Sequence, residues 1–151
     1  MYQKLLLAID PDDDGEGKRA IEAALDLLGD SGELHMVSVF HPDSGGFFPH
    51  VTEDAPEEKE AQVREKLDLL ARKYLPLNRE ATLHVLAGTA GEKLVALAGQ
   101  LGVDLLVVVS RGGSSRWTIR KATVEYVAVN ANCAVLVLPA IEKAEPEENR
   151  A

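Results

Sequence analysis

Cysteine is almost missing from this chain: Cys133 stands alone, so no internal disulfide can form. That usage fits a reducing compartment, and the cytoplasm is the expected location. Long apolar runs are missing too. No stretch approaches the ~20 residues that cross a bilayer. The run Leu5 to Ile9, after Met1-Tyr2-Gln3-Lys4, is too short for a secretory leader and lacks a small-residue cleavage site. It reads as a first strand. Positive charge is the third shortage. A net charge of −9 makes the chain as a whole repel nucleic acid and anionic membrane.

Several motifs are also absent. No G-x-G-x-x-G follows the first strand, which argues against a dinucleotide site of that kind. No G-x-x-x-x-G-K-[ST] occurs, so this is not a P-loop enzyme. The third strand ends Leu86-Ala87-Gly88 without an aspartate, against a phospho-accepting receiver domain. His35, His41, His50 and His84 have no metal-ligand spacing, and His35 and His84 read as ordinary strand residues. Cys133 precedes an apolar strand and reads as packing rather than nucleophile.

What is present is the pattern of one α/β domain. The chain has 151 residues, 46% hydrophobic and 27% charged, enough for a core and not a disordered composition. Strand-like runs cover Lys4 to Ile9, Leu34 to Phe40, Ala81 to Leu86, Asp104 to Ser110 and Ala134 to Leu138. The first, fourth and fifth are continuously apolar, as strands covered on both faces are. Helical stripes lie between them: Ile21, Leu25 and Leu28; Val63, Leu67, Leu70 and Tyr74; Leu94, Leu97, Ala98 and Leu101; Val124, Val127, Ala128 and Ala131. Thr89-Ala90-Gly91-Glu92 reads as a capping box. Strands alternating with helices predict right-handed crossovers and a doubly wound parallel sheet. No repeat and no second domain is visible. The domain is expected over 1–139, with a mobile loop from His41 to Lys59 and a frayed acidic tail over 140–151.

In a doubly wound sheet, ligands sit beyond the carboxyl ends of the strands where strand order reverses. The loops after the first and fourth strands are therefore the candidates. The first strand ends Ala8-Ile9-Asp10, then Pro11-Asp12-Asp13-Asp14-Gly15. Asp10 is placed to accept from ribose hydroxyls. The acids after it fit either a Mg²⁺ site, through Asp10 and Asp13, or a solvated turn with a helix N-cap. The fourth strand runs into Arg111-Gly112-Gly113-Ser114-Ser115-Arg116, with Arg120 and Lys121 beyond, and no acid lies between Asp104 and Glu125. Glycines and serines let backbone N–H groups close around an anion, and the next helix adds its positive end. Basic side chains at a helix N-terminus oppose its dipole, so this cluster fits either a bound anion or a solubilising turn.

These residues resemble the universal stress protein family. The resemblance runs to Pro139 and rests on Lys4-Leu5-Leu6-Leu7-Ala8-Ile9-Asp10, Val37-Ser38-Val39, Gly88, Val107-Val108-Val109-Ser110-Arg111-Gly112, and Ala122-Thr123-Val124-Glu125-Tyr126-Val127 through Asn132-Cys133 to Leu138. The family's nucleotide-binding members carry a glycine, two residues, a glycine, nine residues, then glycine and serine or threonine. That frame falls here on Val109, Gly112, Ala122 and Thr123, so the spacing is intact while two glycines are replaced. The resemblance implies a five-stranded parallel sheet ordered 3-2-1-4-5 with helices on both faces. It implies an adenine near Ala8, Ile9, Val39 and Val108, and a ribose at Asp10. Gly112, Thr123 and Val124 would meet phosphates, with Arg111 close by. The implied ligand is ATP or AMP, with or without Mg²⁺, held by a regulatory module of the stress response that acts on a partner protein. A nucleotide-free member working through protein contacts, favoured by Val109 and Ala122, and a slow ATP hydrolase are the competing readings. In that strand order Val135, Leu136, Val137 and Leu138 lie at the sheet edge with no charge between Cys133 and Pro139, which predicts a homodimer through the fifth strand.

Overall fold

The computed structural model describes residues 1–42, 56–110 and 121–139. Most of the expected loop after His41, the Arg111–Arg120 segment with Arg111 and Gly112, and the acidic tail lie outside the described residues. The elements run β1 (Tyr2–Ala8), α1 (Asp14–Leu27), β2 (Leu28–Phe40), α2 (Pro56–Tyr74), β3 (Ala81–Ala87), α3 (Ala90–Leu101), β4 (Leu105–Ser110), α4 (Lys121–Asn130) and β5 (Ala134–Pro139). The strands form one sheet in the order β3-β2-β1-β4-β5, with every neighbouring pair parallel. The fold class read from the sequence is the one the chain adopts.

Alternation along the central strands explains why their apolar runs are unbroken. Leu5 and Leu7 of β1 point to a core with Met36, Val107, Ile21 of α1 and Leu67 of α2. Leu6 and Ala8 point the other way, to Val37, Leu106 and Val108, Leu94 of α3 and Val127 of α4. A strand buried on both faces has no solvent side to mark with polar residues. β5 departs from that expectation: none of its residues is buried, and among the described residues its one strand neighbour is β4.

Several boundaries move for local reasons. β2 starts at Leu28, not Leu34, and the register with β1 shifts between Tyr2↔Leu28 and Lys4↔Glu33. The turn-like Gly29-Asp30-Ser31-Gly32 is absorbed into the strand. Arg79 fastens it, donating to the Gly32 carbonyl at 3.1 Å and the Gly29 carbonyl at 2.8 Å. β4 starts at Leu105 because Asp104 is used as a clamp: its carboxylate accepts from the Gln3 and Lys4 N–H groups at 3.0 and 2.9 Å. Those bonds, Gln3's first, hold the Asp104 carboxyl below the usual aspartate range. α2 begins at Pro56, inside the segment expected to be loop. Proline is favoured in a first helical turn, and Glu57 and Glu58 complement the helix dipole there. Thr89 is the N-cap of α3, but its side chain makes no capping hydrogen bond, so the expected capping box does not form. On α4, Val127 is buried and Val124 and Ala131 are half-buried, whereas Ala128 is exposed.

Candidate functional site

The sheet order reverses at β1, whose neighbours are β2 on one side and β4 on the other. A cleft of about 680 Å³ opens at the carboxyl ends of these strands. Ala8 enters it from the end of β1 with Ile9 and Asp10 just beyond, Val37 to Phe40 from β2 with His41 next, Gly88 to Ala90 from beyond β3, Val109 from β4 and Thr123 from α4. Leu94 of α3 closes one side, and Lys59, Gln62, Val63 and Lys66 of α2 form another wall.

The β1 end is held firmly. The Ile9 N–H donates to the Val37 carbonyl at 3.0 Å, one step past the strand. The buried Ser38 hydroxyl donates to the Ile9 carbonyl at 2.9 Å. Asp10 then turns the chain: its Oδ1 accepts from the Asp12 N–H at 2.9 Å, and its carbonyl from the Asp13 N–H at 3.3 Å. A carboxylate fixed this way stands at the strand end as an acceptor facing the cleft. Across the cleft, the Gly88 N–H bonds the Phe40 carbonyl at 2.9 Å, and Gly88 has φ +141. L side chains rarely take that conformation, and a Cβ would lie 2.7 Å from the Lys93 side chain.

The four acids after β1 separate into different tasks. Asp13 is the N-cap of α1, its Oδ1 accepting from the Glu16 N–H at 3.0 Å. It does not line the cleft. Asp12 pairs with Lys66 at 2.8 Å. Asp14 accepts from Lys73 at 3.0 Å and from the Tyr74 hydroxyl, tying α1 to the end of α2. The Tyr74 bond first, then Lys73, holds the Asp14 carboxyl below its ordinary range. No group of three or more metal-ligating side chains occurs among the described residues. A Mg²⁺ at Asp10 would therefore need phosphate oxygens to complete its shell.

The remaining sequence-predicted residues fall on both sides of the cleft boundary. Val109 and Val39 line it with Thr123. Val108 is fully buried in the core against α3 and α4, and Val124 packs against the same core. Ala122 is exposed. Neither Val108, Ala122 nor Val124 is among the lining residues. The α2 wall was not foreseen, although Lys59, Gln62, Val63 and Lys66 carry the three-and-four spacing of one helix face.

Sequence reasoning also missed a coupled pair away from the cleft. His35 Nδ1 and His84 Nε2 are 2.9 Å apart, and His35 Nε2 lies 2.6 Å from Glu33 Oε2. Burial first, then the charges of His35 and Arg64, push the His84 imidazolium down from 6.5. The folded state then binds that proton less readily than the unfolded chain, so stability falls as pH drops below 6.5. The His35 bond holds the Glu33 carboxyl below 4.5, so that contribution is present above 4.5 and lost only as pH falls through the lowered value. His84→Gln should flatten the decline in melting temperature between about pH 7 and about pH 5.5. Parallel melting curves for the two proteins across that window would refute the assignment. Cys133 is half-buried, and burial pushes its thiol up, which disfavours the reactive thiolate.

The chain matches the family model described as Universal stress protein family over residues 1–139. No curated protein matches it in sequence. Among solved structures it is similar to hypothetical protein MJ0577, at 18% identity, TM-score 0.71, and coverage of 95% of this chain and 99% of that one. It is similar to a universal stress protein in complex with cAMP, at 23% identity and TM-score 0.58 over 91% and 96% of the two chains. A third is the universal stress protein from Archaeoglobus fulgidus in complex with dAMP, at 17% identity and TM-score 0.54 over 90% and 97%.

Proposed function

The chain belongs to the universal stress protein family, and from that membership we propose that it binds an adenine nucleotide, ATP or AMP, as a regulatory module of a stress response. The observation that carries the reading is the cleft itself: about 680 Å³ remains open at the switch point of the sheet with the Val109 side chain in its wall. Asp10, fixed by the Asp12 N–H, is the acceptor for ribose hydroxyls. Ala8, Ile9 and Val39 offer the base an apolar seat. Thr123 lines the cleft and serves the phosphates, a role this reading also gives to Gly112 and Arg111. With ATP, Asp10 would help hold a Mg²⁺, which would offset the charge of the phosphates. The cAMP and dAMP complexes of the two structural relatives support the choice of adenine.

The module acts in the cytoplasm, in keeping with its single cysteine, as a homodimer joined through β5, and it passes its nucleotide state to a partner protein. No described helix is long and apolar enough to cross a membrane.

The test is calorimetric titration of the purified chain with ATP, ADP and AMP, with Mg²⁺ present. Saturable heat with Kd below about 1 mM for at least one nucleotide is expected. Flat titrations for all three would defeat the proposal.

A further inference from the structure

α3 and α4 both reach the cleft near their N-terminal ends. α3 brings Ala90 and Leu94, and α4 brings Thr123. α4 packs chiefly on α3 and only lightly on β4 and β5. Val127, fully buried in the core that holds Leu106 and Val108, sets its height over the sheet. Its distance from α3 is set by Tyr126. A Cβ on Gly91 would lie 2.9 Å from Tyr126 Cδ1, 3.2 Å from its Cγ and 3.3 Å from its Cβ. The ring and its stem therefore rest on the α3 backbone at a place that glycine leaves open. Glycine weakens a helix relative to alanine, and what it permits here is this close approach. Tyr126 is itself 40% exposed, belongs to neither buried core and does not line the cleft. It is a bulky aromatic where neither core demands one.

We propose that Tyr126 is a positioning residue for the phosphate end of the cleft: resting on Gly91, it fixes Thr123 of α4 relative to Ala90 and Leu94 of α3. This rests on the nucleotide-binding reading above, in which Thr123 serves the phosphates, and adds what holds Thr123 in place. Thr123 and Tyr126 are three residues apart and so share one face of α4. On α3, Gly91 follows Ala90 directly and precedes Leu94 by three. The contact thus lies within one helical turn of the cleft on both helices. Val127 alone would leave α4 free to roll about its buried contact and to slide along the sheet. A second contact in another direction removes that freedom. A hydroxyl that donates to a phosphate oxygen tolerates little displacement, because hydrogen bonds weaken steeply with distance and angle. The base seat at Ala8, Ile9 and Val39 and the acceptor Asp10 are carried by β1, β2 and the turn after β1, not by α4. Tyr126 therefore bears on the phosphate end and not on the nucleoside end.

Calorimetric titration with AMP and with adenosine separates the two ends. Tyr126→Ala should bind AMP about tenfold more weakly than the wild type, and adenosine within about twofold of it. Tyr126→Phe keeps the ring on Gly91 and should retain wild-type affinity for both ligands. Gly91→Ala drives the ring off α3 and should weaken AMP as Tyr126→Ala does, without touching the tyrosine. The double variant should be no weaker than either single one, because both break the same contact. A folded Tyr126→Ala protein that binds AMP as the wild type does overturns the inference; should that variant not fold, Gly91→Ala puts the same question from α3. Equal losses of AMP and adenosine overturn it, as do a Tyr126→Phe variant as weak as Tyr126→Ala and fully additive losses in the double variant. A wild type that binds adenosine and AMP with equal affinity overturns the inference alone. A wild type that binds neither overturns the nucleotide reading as well.

Discussion

Val137→Lys should turn the protein from dimer to monomer in sedimentation at micromolar concentration, without loss of fold. Among the described residues β5 has one strand neighbour, β4, so its other edge has no strand beside it; the Pro139 carbonyl at its end accepts from the Arg19 guanidinium. Such an edge pairs with another chain unless lysine, proline or a bulge blunts it. This one has no charge from Ala134 to Leu138, and Pro139 comes only at its end. Antiparallel pairing with the same strand of a second copy is self-complementary, as a two-fold dimer requires. Apolar side chains are exposed on the same side of the molecule: Val137 is 37% exposed, and on α4 Tyr126 is 40% and Val129 81% exposed. The choice of residue matters. Leu136 and Leu138 are half-buried and pack against the core beneath α1 and α2, so lysine there would weaken the monomer itself. Val137 lies on the opposite face, and a lysine there reaches water while its charge opposes its symmetry mate. Wild-type protein that sediments as a monomer would end the proposal. So would a Val137→Lys variant that stays dimeric.

The sheet was legible because its signal is local and strong. Leu5-Leu6-Leu7 and Leu105 to Val109 are unbroken apolar runs between turn residues, and only a strand covered on both faces accommodates them. Strand order is not local; it came with the family resemblance. The early start of β2 was hidden because Gly29-Asp30-Ser31-Gly32 has the composition of a turn. What holds it as strand is Arg79, supplied from a distant part of the chain. The same limit hid the histidine pair. His35 and His84 face each other because Val37 pairs with His84 and His35 with Thr82, a register written in neither strand alone. At the site, Asp10 was read from its place at a strand end, whereas Val39 and Val109 came with the family resemblance; all three line the cleft. Val108 was placed beside them, but it lies fully buried among Leu94 and Val127 and does not line the cleft, although Ala8 and Val39 on the same face do. The α2 wall was missed because a helix's charged face is ordinarily its solvent face.

Val109→Gly should lower the stability of the nucleotide-free protein by about 2–3 kcal/mol, through three lost buried carbons and the freedom of glycine in a strand. Val109 is 3% exposed, packs in the same core as Ile9, Met36 and Leu70, and pairs with Leu138 of β5. For a domain of this size the loss corresponds to a melting temperature lower by roughly 4–12 °C. The upper part of that range requires a dry cavity; the side chain borders the cleft, where water enters the vacated space, so the lower part is expected. Saturating nucleotide should offset the change. Ligand at a hundredfold excess over Kd stabilises a folded state by about 2.7 kcal/mol, as much as the substitution removes. The glycine that nucleotide-binding relatives place here would thus bring backbone closer to the ligand at the cost of core, and valine makes the opposite trade. Thermal melts of both proteins, with and without AMP, separate the two effects. A variant as stable as the wild type would show that Val109 contributes no packing. A variant that binds AMP where the wild type does not would show that the valine closes the site, and the chain would then act through protein contacts alone.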